Sequence, residues 1–116
     1  MTDDDIMRAL LSDNRVYLHY TDAAGASAIR QTGVIRTNTK LAVYLTQEPM
    51  SEAEAHQKLF IGATTHEGRG SHVVVLRISA GLPVRRLSTF EFASDQTIRL
   101  DQHQVLYIGP NPTQSR

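Results

Sequence analysis

The sequence has no cysteine among its 116 residues and no excess of charge of either sign. Without cysteine, disulfide bonds and thiolate metal sites are excluded. Twelve basic residues balance twelve acidic ones, so no overall field favours binding to nucleic acid or to an anionic membrane. No apolar run approaches the roughly 20 residues of a membrane span, and the acidic N-terminal stretch lacks the pattern of a signal peptide. We therefore expect a soluble protein, cytoplasmic in its own or a target cell, with no membrane partner.

The common motifs of nucleotide binding and catalysis are also missing. There is no G-x-x-x-x-G-K-[ST] loop and no G-x-G-x-x-G after a predicted strand. The five histidines show no H-E-x-x-H or comparable ligand spacing, so no metal cofactor is expected. A Ser-His-Asp triad stays open, because triads are assembled by geometry and not by sequence spacing.

Length and composition predict one globular domain over residues 1–116. The hydrophobic fraction is 41% and the charged fraction 21%, both near the average for such domains. Residues 112–116 are expected to be a frayed tail.

Three segments have the pattern of helices. Thr2 is placed to cap an amphipathic first helix. The second is predicted over residues 22–33, with Thr21 as N-cap and Gly33 just past the C-terminus. Ser51 and Glu54 form an S-x-x-E capping box that opens the third, over residues 51–64.

The remaining apolar segments predict strands. They cover residues 15–21, 34–37, 41–46, 71–79, 83–88, 90–92, 97–100 and 104–109. Most of the strands follow the helices, without β-α-β alternation, which predicts an α+β fold with an antiparallel or mixed sheet.

Two predicted strands carry polar rings where an apolar residue would pack more easily. The first, "YLHYT", contains His19 and Tyr20, and the second, "VYLT", contains Tyr44. A single histidine or tyrosine on a strand is usually structural. The two together, in this order, require a further explanation.

The stretch from residue 17 to residue 76 resembles a known family. It has "YLHYT", a helix, "VYLT", a capped helix, and an "EGRG" turn at 67–70 that leads into an apolar strand. This order is similar to that of the small ADP-ribosyltransferases of the His-Tyr-Asp type. They include rifampin-modifying enzymes and domains of bacterial polymorphic toxins.

The resemblance implies a particular fold and NAD⁺ as substrate. The fold would have split, strongly bent antiparallel or mixed sheets with small flanking helices and a central NAD⁺ cleft that both His19 and Tyr44 face. His19 would hydrogen-bond a ribose hydroxyl, and Tyr44 would stack on the nicotinamide, a contact worth about 0.5–2 kcal/mol. Tyr20, Thr21 and Thr46 would position the dinucleotide.

The third catalytic residue has no direct match. Where the family has its aspartate, this sequence has Arg85 and Arg86. Other ADP-ribosyltransferases place a glutamate at the start of a late strand, where this sequence has "DQHQ" and Gln104 is the implied cofactor contact. The candidate carboxylates are Glu91, Asp95 and Asp101, of which Glu91 and Asp101 lead.

The resemblance implies a mono-ADP-ribosyltransferase, of the glycosyltransferase class, that acts as a bacterial toxin or effector domain. Its acceptor would be a protein, a nucleic acid or a small molecule, and a cognate immunity protein is a candidate partner. Such a transfer passes through an oxocarbenium-like transition state. The alternatives are an NAD⁺ glycohydrolase and a binding module of the same fold that has lost the chemistry.

Overall fold

The structure, a computed structural model, describes residues 1–38, 41–59 and 70–114. Its helices are α1 (Asp3–Ser12), α2 (Ala23–Thr32) and α3 (Glu52–Lys58). The strands are β1 (Val16–Thr21), β2 (Val34–Ile35), β3 (Val43–Thr46), β4 (His72–Arg77), β5 (Arg85–Arg86), β6 (Glu91–Ser94), β7 (Ile98–Arg99) and β8 (Gln104–Pro110). A 3-10 turn at Leu100–Gln102 leads into β8. Within the described ranges, no helix is long and apolar enough to cross a membrane.

Six of the strands form one sheet in the order β5, β6, β3, β1, β4, β8. Every neighbouring pair in it is antiparallel. β2 and β7 form a separate antiparallel pair. The prediction of an α+β fold with an antiparallel sheet is therefore confirmed.

The central strands of the six-stranded sheet, β1, β3 and β4, are buried on both faces. Because side chains alternate along a strand, each central strand supplies residues to two cores. The α2 face packs Tyr17, Val43, Leu45, Val74 and Leu76 of the sheet with Ile29 of α2 and Ile98 of β7. The α1/α3 face packs Val16, Leu18, Tyr20, Val73 and Val75 with Ile6 of α1 and Ala55 of α3.

The helix ends follow their predicted caps with one exception. Thr2 and Ser51 each close a capping box, the second with Glu54 as predicted. Gly33 ends α2 with φ 72° and donates its N–H to Ile29 O at 2.8 Å, which is the left-handed cap that glycine favours. The prediction of Thr21 as N-cap of α2 is wrong, because Asp22 accepts the Gly25 N–H at 2.7 Å.

Several predicted elements are longer than the observed ones. β5 and β7 have two residues each. α3 ends at Lys58, and residues 60–64 of its predicted extent lie outside the described residues. The expectation of a frayed tail is wrong at Thr113, which is 5% exposed and donates its hydroxyl to Asp3 Oδ1 at 2.6 Å.

Candidate functional site

Strand β1 is paired very differently with its two neighbours. With β4 it forms six register pairs, from Val16↔Arg77 to Thr21↔His72. With β3 the register contains the single pair Leu18↔Thr46. The β1/β3 border, between residues 16–21 and 43–47, therefore has a short main-chain ladder in the middle of the sheet.

His19 contacts β3 through its side chain at this border. Its Nδ1 lies 2.9 Å from the carbonyl oxygen of Tyr44. A carbonyl only accepts, so Nδ1 carries the proton, and in the neutral ring Nε2 is the acceptor. The two residues that the resemblance singles out are thus in direct contact.

Their rings nevertheless project from opposite faces of the sheet. His19 is paired with Val74, which belongs to the α2 face. Tyr44 lies between Val43 and Leu45, which also belong to the α2 face, so alternation directs Tyr44 to the α1/α3 face. The expectation that both rings face one cleft is wrong for this reason.

Glu91 lies on the same face as Tyr44. In the β3–β6 ladder, Glu91 is opposite Thr46 and Tyr44 is opposite Ala93. Glu91 and Tyr44 are therefore diagonal neighbours, a relation that corresponds to about 7–8 Å in antiparallel sheets. Both side chains are partly buried.

The Glu91 carboxylate is partly desolvated. Partial burial raises its pKa above the ordinary value. Among the described residues it has no hydrogen-bond or ion-pair partner. Such a carboxylate gains more than a solvated or paired one when a positive charge develops beside it.

The hydroxyls of Tyr20 and Thr46 have structural roles. Tyr20 is 4% exposed, and its hydroxyl accepts the Met50 N–H at 2.7 Å. Burial raises the pKa of Tyr20 to about 12. Thr46 is fully buried, donates to Phe90 O and accepts the Glu48 N–H at 3.1 Å. Both hydroxyls form hydrogen bonds to main-chain groups of other segments, and this placement does not support dinucleotide contacts for them.

Thr21 and Gly70 are positions of close packing. Thr21, the last residue of β1, is partly buried opposite His72. A Cβ on Gly25 would lie 2.0 Å from Thr21 Oγ1, so the start of α2 needs glycine there. Of the "EGRG" turn, residues 67–69 lie outside the described residues. Gly70 is packed so that a Cβ would lie 2.8 Å from Glu52 O.

Gln104 and Asp101 lie away from Tyr44 and Glu91. Gln104 begins β8 opposite Arg77, which is opposite Val16. Strands β4 and β1 separate β8, which carries Gln104, from β3, which carries Tyr44. Asp101 is exposed, with its Oδ2 3.7 Å from Arg99 Nη2. The structure therefore brings Tyr44 and Glu91 together and leaves Asp101 apart.

Sequence reasoning missed a pocket at the Gln104 end of the sheet. It has a volume of about 370 Å³ and is lined by side chains that include Arg15, Arg77 and His103. These residues are far apart in sequence and form no motif. They meet because β4 pairs with both β1 and β8. For the part of the chain that the structure describes, no group of three or more His, Asp or Glu could hold a metal ion.

Comparison with known proteins adds a fold but no family. No protein-family model matches the sequence, and a comparison with curated proteins gives no match. The solved structure of the Agrobacterium protein 6b, described for its disturbance of plant cell proliferation, is similar at a TM-score of 0.64. The identity is 13%, over 90% of this chain and 72% of the other. At this identity the similarity concerns the fold alone.

Proposed function

We propose that the protein is an NAD⁺-dependent mono-ADP-ribosyltransferase, a toxin or effector domain that modifies a protein, nucleic acid or small molecule. The observation that carries the proposal is the placement of Tyr44 and Glu91 on one face of the neighbouring strands β3 and β6. Glu91 supplies the carboxylate that the sequence motifs left unmatched. Tyr44 is the residue that the resemblance assigns to the nicotinamide.

The reaction requires stabilisation of positive charge. The glycosidic C–N bond of NAD⁺ breaks, and its electron pair leaves with the nicotinamide nitrogen, which neutralises that ring. Positive charge develops on the ribose carbon. The acceptor then forms a bond to this carbon and loses a proton. The products are nicotinamide, the ADP-ribosylated acceptor and H⁺.

The two residues suit these charges. Before the reaction, the aromatic face of Tyr44 would interact with the cationic nicotinamide, an interaction of about 0.5–2 kcal/mol. As the bond breaks, the charge moves to the ribose, where the partly desolvated Glu91 carboxylate would stabilise it. Glu91 therefore favours the transition state over the bound substrate.

His19 is the proposed partner of a ribose hydroxyl. Its ring is oriented by the contact between Nδ1 and Tyr44 O. Because the His19 ring projects from the other face, this role for His19 requires the β1/β3 border to open when NAD⁺ binds. The split-sheet form of the fold belongs to the same proposal and is supported by the single register pair at that border.

Labelled NAD⁺ is the test of this function. Label on a macromolecule or small acceptor supports transfer, free ADP-ribose indicates a glycohydrolase, and intact NAD⁺ indicates at most a binding module. Binding alone should raise the melting temperature, because a ligand at 100 times its Kd adds about 2.7 kcal/mol to the free energy of unfolding. Intact NAD⁺ with no thermal shift at millimolar NAD⁺ would exclude all three.

Two matched substitutions, each of a carboxylate by its carboxamide, test which carboxylate stabilises the transition state. We expect Glu91→Gln to lower NAD⁺ turnover by about 10²–10³, the usual cost of removing one preorganised stabilising group. Asp101→Asn makes the same chemical change at the exposed alternative and should leave turnover unchanged. The opposite result would assign the role to Asp101 and remove the observation on which the proposal rests.

A further inference from the structure

The pocket at the Gln104 end of the sheet lies where β1 begins, β4 ends and β8 begins. Its polar lining comes from Asp13, Arg15, Arg77, Ser79, Gln102, His103 and Gln104. The proposed NAD⁺ residues Tyr44 and Glu91 do not line it.

Arg15 carries a charge that is fixed in place without being neutralised. Its Nε donates to Ile78 O at 3.0 Å, and its Nη2 donates to Ser79 O at 2.8 Å and Leu82 O at 3.1 Å. These acceptors are carbonyls, so they orient the guanidinium and leave its charge in place. Arg15 is in none of the ion pairs formed by described residues. Its Nη1 donates to no described residue.

Arg77 supplies the second guanidinium and orients an amide. Its Nε donates to Asp13 Oδ2 at 2.7 Å, and its Nη1 donates to Gln104 Oε1. Arginine can only donate, so the oxygen of Gln104 faces Arg77 and the amide nitrogen is left as a donor. Within the described ranges, neither Arg77 Nη2 nor the Gln104 nitrogen has an acceptor.

His103 adds another donor. The Ser79 N–H donates to His103 Nδ1 at 3.0 Å. In the neutral ring the proton is therefore on Nε2. The pKa of His103 is lowered by burial and by the charge of Arg15, whereas Asp101 acts in the opposite direction. Arg15 and Asp101 are thus the charged groups that act on this imidazole, and Asp13 and Arg77 line the same pocket.

The balance in the pocket is two guanidinium groups against one lining carboxylate, with unused donors on two arginines, an amide and an imidazole. We propose that this pocket binds the phosphate group of a small phosphomonoester. Phosphate has three oxygens that accept from several directions, as these donors require. Ile78 and Ala80, which also line the pocket, provide apolar contacts for the organic part. The volume falls within the range of small-molecule sites, about 300–1,000 Å³.

The binding test uses ribose 5-phosphate, inorganic phosphate and ribose at one constant ionic strength. We expect ribose 5-phosphate to bind at least tenfold more tightly than inorganic phosphate, and ribose not to bind, by calorimetry. Binding should also raise the pKa of His103 in an NMR titration, because the anion stabilises the imidazolium. Equal weak affinity for the two phosphates, or an unmoved His103, would overturn the proposal.

Two variants with a matched control locate the binding. Gln104→Glu keeps an acceptor for Arg77 and adds a negative charge, so it should weaken ribose 5-phosphate binding at least tenfold with the fold intact. Arg77→Met should do the same, and Gln104→Glu decides the matter if Arg77→Met does not fold.

The control is Arg85→Met. Arg85 is also paired with a carboxylate, that of Asp95 at 3.0 Å, and lies on β5 at the other edge of the sheet. The Arg85→Met variant should bind ribose 5-phosphate with the same affinity as the parent protein. Equal losses in Arg77→Met and Arg85→Met would mean that only the overall charge matters, which would overturn the proposed site.

Discussion

The two borders of β1 are built from different groups. The β1–β4 border is a main-chain ladder with six register pairs. At the β1/β3 border, side chains bond main-chain carbonyls on either side of the single pair. Gln47 Nε2 donates to Val16 O at 3.0 Å, and His19 Nδ1 donates to Tyr44 O. A side-chain contact can be made or lost by one rotation, so we expect the β1/β3 border to open more readily than the β1–β4 border.

The largest expected effect is at Leu18, which lies on both borders. It is opposite Val75 of β4 and Thr46 of β3, and it is fully buried. Leu18→Ala should lower the free energy of unfolding by about 2–5 kcal/mol through lost burial and a cavity. Urea denaturation measures this, with Leu11→Ala, 84% exposed, as the control. A cost below about 1 kcal/mol would mean that this core is loosely packed.

A pair of matched tyrosine substitutions compares a hydroxyl that accepts a buried N–H with one that has no described partner. Tyr20→Phe leaves the buried Met50 N–H without its acceptor and should cost about 1–3 kcal/mol of unfolding free energy. The Tyr44 hydroxyl bonds no described residue, so Tyr44→Phe should stay within about 0.5 kcal/mol of the parent. Thermal unfolding of both variants is the measurement. Equal losses would show that Tyr44 is as structural as Tyr20.

The side-chain contacts of the β1/β3 border should be worth less. Gln47→Met and His19→Phe each remove hydrogen bonds to carbonyls and should cost about 0.5–1.5 kcal/mol. Hydrogen exchange should become faster for amides of β3 than for amides of β4, because the six-pair ladder is untouched. An equal change in both strands would contradict an independently opening border.

The smallest expected effects depend on pH and have opposite signs. The pKa of Glu91 is raised by burial. The folded protein therefore holds this proton more tightly than the unfolded chain does, and the free energy of unfolding declines as pH rises above about 4.5. The pKa of Asp13 is lowered, first by the Arg15 N–H and then by Arg77, so its contribution is lost as pH falls below about 3.8. Urea midpoints between pH 3 and 7 for the parent, Glu91→Gln and Asp13→Asn should separate the two. Parallel curves for all three would contradict both assignments.

Local sequence signals predict where the helices begin and end better than they predict which elements pack together. The capping box at Ser51 and the glycine at position 33 correctly predict a helix start and a helix end, because each acts within one turn of helix. Thr21 and Asp22 are both good N-cap residues. Asp22 takes the role because Thr21 is paired with His72 of β4, a contact between distant parts of the chain.

In the candidate site, too, local signals are predictable from the sequence and contacts between strands are not. Alternation along each strand separates His19 from Leu18, and Tyr44 from Val43. It does not say which residues of the two strands share a face, because that depends on the register Leu18↔Thr46. A shift of one residue would have placed His19 and Tyr44 together. Similarly, Glu91 reaches Tyr44 only through the β3–β6 pairing, which no local signal specifies.

The contact between Thr113 and Asp3 joins residues that are 110 positions apart. It brings the first helix and the segment after the last strand side by side. A short linker should therefore be able to connect these two segments in a circular permutant, with new ends in an exposed turn such as that near Gly81. For the same reason, we expect the domain to fold when it is inserted into a loop of a carrier protein through these two adjacent segments.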